Sequence, residues 1–255
     1  MAVIAIYSAK GGVGKTTMAV DLAWRSASVS GYRTLLWDLD PQGGAGFMLG
    51  VEARRNARAA SVFQRDGRPR ELIEPTRFPG LSLLQSDDSM RSLSVALARI
   101  GHRRRLQQLT ALLTADYPRI ILDCPPVLNE VSDQIIHAAD VLVVPLPASP
   151  LAMRTLDAVR EELPRDHARH PPILPVLTMY DARRRLHRET RGGFAAGWPV
   201  VPTASQLEQA AVRRAPLGSF ANNSDAGKAL QRVWAGIEAR LDEAKLVSLP
   251  VAALA

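Results

Sequence analysis

The sequence of 255 residues is poor in several things, and each scarcity closes off a class of protein. It has one cysteine, Cys124, which excludes an intrachain disulfide and any four-thiolate metal site built within one chain. Aromatic residues make up 5% of it, and no uninterrupted apolar run approaches the ~20 residues of a membrane-spanning helix. No basic-then-apolar leader precedes the first apolar run, so a cytoplasmic protein is expected. No internal repeat is found, and the length suits one α/β domain with its own core. Lysine is the scarcest charged residue: Lys10, Lys15, Lys228 and Lys245 stand against 28 arginines. What is in excess is positive charge, formally +7. That balance favours a polyanionic partner, nucleic acid or an anionic membrane face, with a merely solvated arginine-rich surface as the plain alternative.

Two of the four lysines fall in one glycine-rich stretch, Ala9-Lys10-Gly11-Gly12-Val13-Gly14-Lys15-Thr16-Thr17. Before it, Ala2-Val3-Ile4-Ala5-Ile6-Tyr7 reads as a buried strand. After it, Met18, Leu22 and Val29, with Ala19 and Ala23 between, form a helical stripe that stops at Gly31. Strand, glycine loop and helix are the context of a phosphate-binding P-loop. The glycines let backbone N–H groups turn inward toward phosphate oxygens, and the helix dipole adds to that field. Lys15 is expected to reach the β- and γ-phosphates, and the Thr16 hydroxyl to be a Mg²⁺ ligand. One lysine suffices for this task, so Lys10 needs its own explanation. A compact ammonium on a flexible stem does something there that a planar guanidinium would not.

Further along, Thr34-Leu35-Leu36-Trp37 reads as a second buried strand ending in Asp38-Leu39-Asp40-Pro41. Arg119-Ile120-Ile121-Leu122-Asp123 reads as another, its terminal aspartate fitting a Walker B carboxylate near the metal. Carboxylates at strand C-termini of an open α/β sheet lie where the ligand lies. Pro125 and Pro126 then stiffen a turn placed to sense the γ-phosphate.

Together these residues resemble the ParA/MinD ATPases, whose deviant Walker A motif is Lys-Gly-Gly-x-Gly-Lys-Thr-Thr. The resemblance continues through residues 35–43 and 120–126 and weakens after about residue 150. It implies ATP and Mg²⁺ held by residues 11–17, with Asp38 and Asp123 supporting the metal beside Thr16. It implies that Lys10 reaches across a homodimer to the partner's nucleotide, and that Asp40 positions or polarises the attacking water. Pro147-Ala148-Ser149-Pro150-Leu151 is similar to a turn of compact ParA-type proteins that lack an N-terminal DNA-binding extension. Many relatives carry a Pro-Arg-Asn turn against the adenine. Here it is Pro202-Thr203-Ala204, which leaves Pro202 and backbone groups to read the base.

Three clusters of basic residues are candidates for contact with a polyanion. His102-Arg103-Arg104-Arg105 interrupts a helical pattern spanning residues 90–115 and reads as DNA contact or as a solvated face. Asp181 is expected to cap a helix over residues 182–191, closed by Gly192 and Gly193. Arg184, Arg188 and Arg191 form one stripe on it, flanked by Arg183 and Arg185 and offset by Glu189. Its phosphate contacts would be sequence-independent and salt-sensitive; a plain solvated helix is the alternative. Ser205-Gln206-Leu207-Glu208 reads as a capping box opening a helix that ends in Arg213 and Arg214. Those cations suit the helix dipole and also match the place where ParA-type relatives touch DNA. Residues 43–80 read as loop-rich with one short helix and carry no chemistry. A last helix from about Asp225 buries Leu230, Val233, Trp234, Ile237 and Leu241. The tail, residues 246–255, is broken by Pro250 and lacks cations after Lys245, so no stable membrane anchor is expected.

The expected fold is a doubly wound, mostly parallel α/β sheet with helices on both faces, one ATPase domain over residues 1–245. The resemblance implies a cytoplasmic, nucleoid-associated ATPase that dimerises with ATP, binds non-specific DNA and positions cargo. A ParB-like or other cargo adaptor would stimulate its hydrolysis. Two alternatives share the scaffold: a MinD-like or cellulose-synthesis-associated ATPase at a membrane or pole, and a metabolic P-loop phosphotransferase. An iron–sulfur reductase would need cluster cysteines that Cys124 alone does not supply.

Overall fold

The computed structural model describes residues 1–52, 58–64, 66–100, 104–127, 129–162 and 170–248. Arg54, Arg55, Arg65, His102, Arg103 and the tail after Ser248 lie outside the described residues.

The chain opens with β1 (Ala2–Ile6), the glycine loop and α1 (Lys15–Ser28). Next come β2 (Thr34–Asp38), α2 (Gly44–Leu49), α3 (Pro69–Leu72), β3 (Ile73–Pro75) and β4 (Leu81–Leu84). Helices α4 (Leu93–Ile100) and α5 (Arg105–Leu113) precede β5 (Arg119–Asp123). Then follow α6 (Glu130–Ala138), β6 (Val141–Pro147), α7 (Pro150–Glu162) and β7 (Ile173–Tyr180). The last elements are α8 (Arg185–Gly192), β8 (Val200–Pro202), α9 (Ser205–Arg213), α10 (Gly218–Ala221) and α11 (Asp225–Ser248).

The strands form one sheet in the order β3-β4-β2-β5-β1-β6-β7-β8, parallel throughout except for β3 against β4. Central strands such as β1 and β6 are continuous apolar runs because both faces are covered. Ile4 and Ile6 point into a core shared with α1 and α11, while Val3, Ala5 and Tyr7 point into a second core with α4 to α7. Parallel register sets Asp123 opposite both Ile6 and Asp38, so three strands end level at one edge. The glycine loop leaves from that edge.

The rear of α1 is fixed by a buried ion pair. Arg25 donates to Asp21 (2.7 Å), Gln231 (2.7 Å), Asn222 (3.0 Å) and the Gly227 carbonyl (3.0 Å). Asp21 also accepts from the Gly218 amide at 2.6 Å. Every strong donor is matched, which is the condition for a buried charge to be tolerated. Gly218 must be glycine: a Cβ there would meet the Trp24 ring at 2.3 Å. The P-loop helix is thereby bolted to α10 and α11.

Several sequence expectations need correction. Residues 43–80 hold two short α-helices, a 3₁₀ turn and the antiparallel edge strand β3, more than one short helix. Helix α8 begins at Arg185, three residues later than expected, and Asp181 does not cap it; Arg184 is the extended N-cap residue, so only Arg188 and Arg191 of the expected stripe lie on the helix. The Asp181 carboxylate instead accepts from the Arg183 amide and guanidinium (each 2.9 Å), closing a turn. Ser205 is not an N-cap; Ala204 holds that position with no side-chain bond, so no capping box forms. Helix α11 buries the five apolar residues expected of it and runs on to Ser248. Among the described residues, no helix is long and apolar enough to cross a membrane.

Candidate nucleotide site and basic surface

The glycine loop has the backbone its composition demands. Gly12 (φ 71°) and Gly14 (φ 87°) are left-handed, which L-residues with side chains rarely adopt. A Cβ at Gly11, Gly12 or Gly14 would meet nothing within 4 Å, so the loop surrounds open space. Gly14 is the N-cap of α1 and supplies no side-chain bond, leaving the first amides of the helix free to donate to an anion. Val13 is buried and holds the loop down, while Thr16 and Thr17 open the helix half-buried.

Lys15 is 7% exposed, its ammonium donating to the Lys10 carbonyl at 3.3 Å. Burial pulls its pKa down, and Asp123, Asp40 and Cys124 push it back up. Lys10 differs. Its amide donates to Ser8 Oγ at 3.3 Å, yet its ammonium makes no hydrogen bond or ion pair among the described residues. The backbone of Lys10 is pinned at both ends and its charge is left over.

Three carboxylates face this loop in different states. Asp123 is fully buried and neither of its oxygens has a hydrogen-bond partner. Burial raises its pKa to about 7, partly offset by the neighbouring Thr16 hydroxyl, with Asp40 adding repulsion and Lys15 attraction. The Thr16 contact falls short of hydrogen-bond geometry, so the carboxylate remains orphaned. An orphaned buried carboxylate beside a threonine hydroxyl fits a divalent cation, which would supply the missing charge. Asp38, equally buried, is engaged: Oδ1 accepts from the Asp40 amide and Oδ2 from the Ala45 amide, both at 3.0 Å. Its pKa is pushed well up, first by burial and then by Asp123. Asp38 therefore braces the turn after β2. Asp40 is half-buried and opens that turn; Oδ1 accepts from the Gln42 amide at 3.0 Å and its carbonyl from Gly43 at 2.9 Å. Its Oδ2 has no protein partner among the described residues.

Cys124 is buried, and burial pushes its thiol well above the ordinary range. It is a neutral filler beside the site. Tyr7 is a support the sequence did not disclose: its hydroxyl donates to the Val127 carbonyl at 2.8 Å, holding the turn with Pro125 and Pro126. No local pattern signals a bond between residues 120 apart. Pro202 ends β8 on a cavity of about 490 Å³ shared with Tyr180, Asp181 and Thr203. The Thr203 amide is already taken by the Tyr180 carbonyl at 2.9 Å.

The arginines divide into engaged and available groups. Arg183 pairs with Asp181 (2.9 Å) and Arg185 with Glu189 (2.6 Å). Arg188 donates to the carbonyls of Ala182 and Arg183 at 2.9 Å, and Arg191 lies 5.5 Å from the Tyr180 ring centre. Arg184 is exposed, and its guanidinium makes no hydrogen bond or ion pair among the described residues. Arg184, Arg188 and Arg191 thus present cationic surface with no carboxylate against them. Arg213 lies 4.7 Å from the Phe220 ring centre and remains exposed. Arg214 is inward-tied, donating to the Phe47 carbonyl at 3.0 Å and to Glu52 at 3.1 Å.

Comparison with known proteins shows which family the chain resembles. A family model described as an AAA domain matches residues 1–169. The chromosome partitioning protein ParA of Myxococcus xanthus is 36% identical over 205 residues, covering 75% of this chain and 71% of that one. The chromosome-partitioning ATPase Soj of Thermus thermophilus is 33% identical over 252 residues, covering 94% and 97%. Among solved structures, apo McdA from Cyanothece shares the fold with a TM-score of 0.80 at 23% identity, covering 94% of this chain and 99% of that one. The P-loop geometry, the level row of aspartates and these likenesses lead to one assignment: the chain belongs to the ParA/MinD family of ATPases, as a ParA/Soj-type partition or positioning ATPase.

Proposed function

We propose that the chain is a Mg²⁺-dependent ATPase with weak intrinsic activity, which dimerises face to face with ATP and then binds non-specific DNA to position cargo. The observation that carries the reading is Lys10: its backbone is pinned by Ser8 and Lys15 while its ammonium lacks a partner among the described residues. A cation held in place beside a phosphate cradle, in a chain with four lysines, suits a phosphate supplied across a two-fold.

Residues 11–17 would bind the phosphates through loop amides and the start of α1, with Lys15 on the β- and γ-phosphates. Thr16 and Asp123 would hold Mg²⁺, and Asp38 would keep the neighbouring turn in place. The metal neutralises charge that develops during phosphoryl transfer. Asp40, with one carboxylate oxygen free, would orient a water for attack. Pro202 would pack on the base. Joining two chains aligns two copies of the α8 stripe and raises avidity for a polyanion without a new contact. Names of relatives support chromosome partitioning as the setting, and a ParB-like or other adaptor would stimulate hydrolysis. The DNA reading rests on the exposed arginines of α8, with the membrane-linked reading as the alternative.

Sedimentation with Mg²⁺ and a non-hydrolysable ATP analogue tests the reading. The wild type is expected to shift to a dimer, and Lys10→Ala to remain monomeric while still binding nucleotide. A Lys10→Ala dimer of normal affinity would overturn it.

A further inference from the structure

Helix α2 lies between the phosphate loop and the end of α9, and it is held at both ends. At its start, Gly44 is packed so closely that a Cβ would come within 3.1 Å of Thr16 Cγ2. The Ala45 amide donates to Asp38, and Thr17 Oγ1 contacts Met48 Sδ at 4.0 Å. At its end, Gly50 turns the chain with φ 73°. There the Phe47 carbonyl accepts from Arg214 Nε at 3.0 Å, and the same guanidinium reaches Glu52 at 3.1 Å and lies 5.2 Å from the Phe47 ring centre.

Arg214 is itself unusual. It closes α9 in the left-handed conformation, φ 50°, at a position where glycine is the ordinary choice. Arg77 fixes it there by donating to the carbonyls of Arg214 (2.6 Å) and Arg213 (3.3 Å). A cation against the carboxyl end of α2 is favoured by the helix dipole. A side chain that accepts backbone strain in order to reach another helix is engaged with that helix.

We propose that Arg214 is a positioning residue that ties α2 to α9, so that the turn Asp40–Gly43 sets the placement of α9 according to the bound nucleotide; it is not a DNA contact. The proposal rests on the nucleotide reading above. The turn runs directly into α2, and α2 is a single short helix braced on Thr16, Thr17 and Asp38. A shift of the turn between ATP and ADP is carried to Phe47, and from there to Arg214 and the last turn of α9. The nucleotide has this effect only insofar as its two forms hold the turn differently. The neighbouring cations Arg213 and Arg214 then have opposite tasks, one facing outward and one joining two helices.

Hydrogen exchange on the full chain tests this, with Mg²⁺ and either a non-hydrolysable ATP analogue or ADP, in the wild type, Glu52→Ala and Arg214→Lys. Glu52 is 87% exposed, so its removal leaves the fold intact. Lysine keeps the charge at 214 but loses the fork to Phe47 and Glu52. Residues 10–18 are expected to be protected by nucleotide in all three proteins. In the wild type, exchange in α9 should differ between the two nucleotides by about threefold or more, and each variant should lose over half of that difference. DNA affinity gives a second reading: Glu52→Ala should shrink the ATP-over-ADP preference although it removes a negative charge. The tie is overturned if α9 ignores nucleotide while residues 10–18 respond, or if both variants keep the wild-type difference. No protection at residues 10–18 would instead remove the nucleotide reading, and the tie with it.

Discussion

The phosphate end and the basic end of this molecule are built on opposite plans. At the phosphate end the key charges are buried and few: Lys15, Asp38 and Asp123 are each nearly inaccessible, and each answers to a handful of close neighbours. At the basic end the charges are exposed and many, and α8 alone carries Arg185, Arg188 and Arg191. Low dielectric makes a single buried charge decisive, whereas solvent and salt dilute a single exposed one. Substitutions at the first end should therefore act all-or-none, and at the second by degrees.

The largest expected effect is at Asp40. Asp40→Ala should slow ATP turnover by about 100-fold or more, the usual contribution of a positioned base, while the ATP-bound dimer accumulates. Single-turnover hydrolysis measures this, and normal turnover would move the water-positioning role to another carboxylate. On the basic side, Arg184→Gln, Arg188→Gln and Arg191→Gln together should weaken DNA binding and reduce the slope of log K against log salt by about 3, close to 0.9 per lost phosphate contact. A slope that does not move would reduce the stripe to a solvated face. Arg213→Gln should be the mildest, lowering the same slope by about 1 or less.

The phosphate end was legible in the sequence because its information is contiguous. An apolar run, three glycines, two lysines and a helical stripe lie within the first twenty-nine residues, and both strand-terminal aspartates follow apolar runs. Parallel pairing then aligned Asp38 with Asp123 as that pattern implied. The misreadings arose where a side chain had two suitors. Asp181 had the composition of a helix cap, but its carboxylate bonds Arg183. Ser205 and Glu208 had the spacing of a capping box, yet the helix starts at the serine itself. Edge strands β3 and β8, three residues each, are too short for an alternation to show. Arg214 looked like one more surface cation, and only its contacts across more than 160 positions give it away. Charge can be counted in a sequence, but whether a charge is engaged depends on tertiary contacts.

The central claim is that nucleotide state controls a salt-sensitive grip on DNA. Equilibrium binding to non-specific duplex DNA, at low and moderate salt, with ATP, with ADP and without nucleotide, tests it most directly. Tight binding is expected with ATP only, falling steeply as salt rises. Binding that is the same in all three states, or none in any, would contradict it.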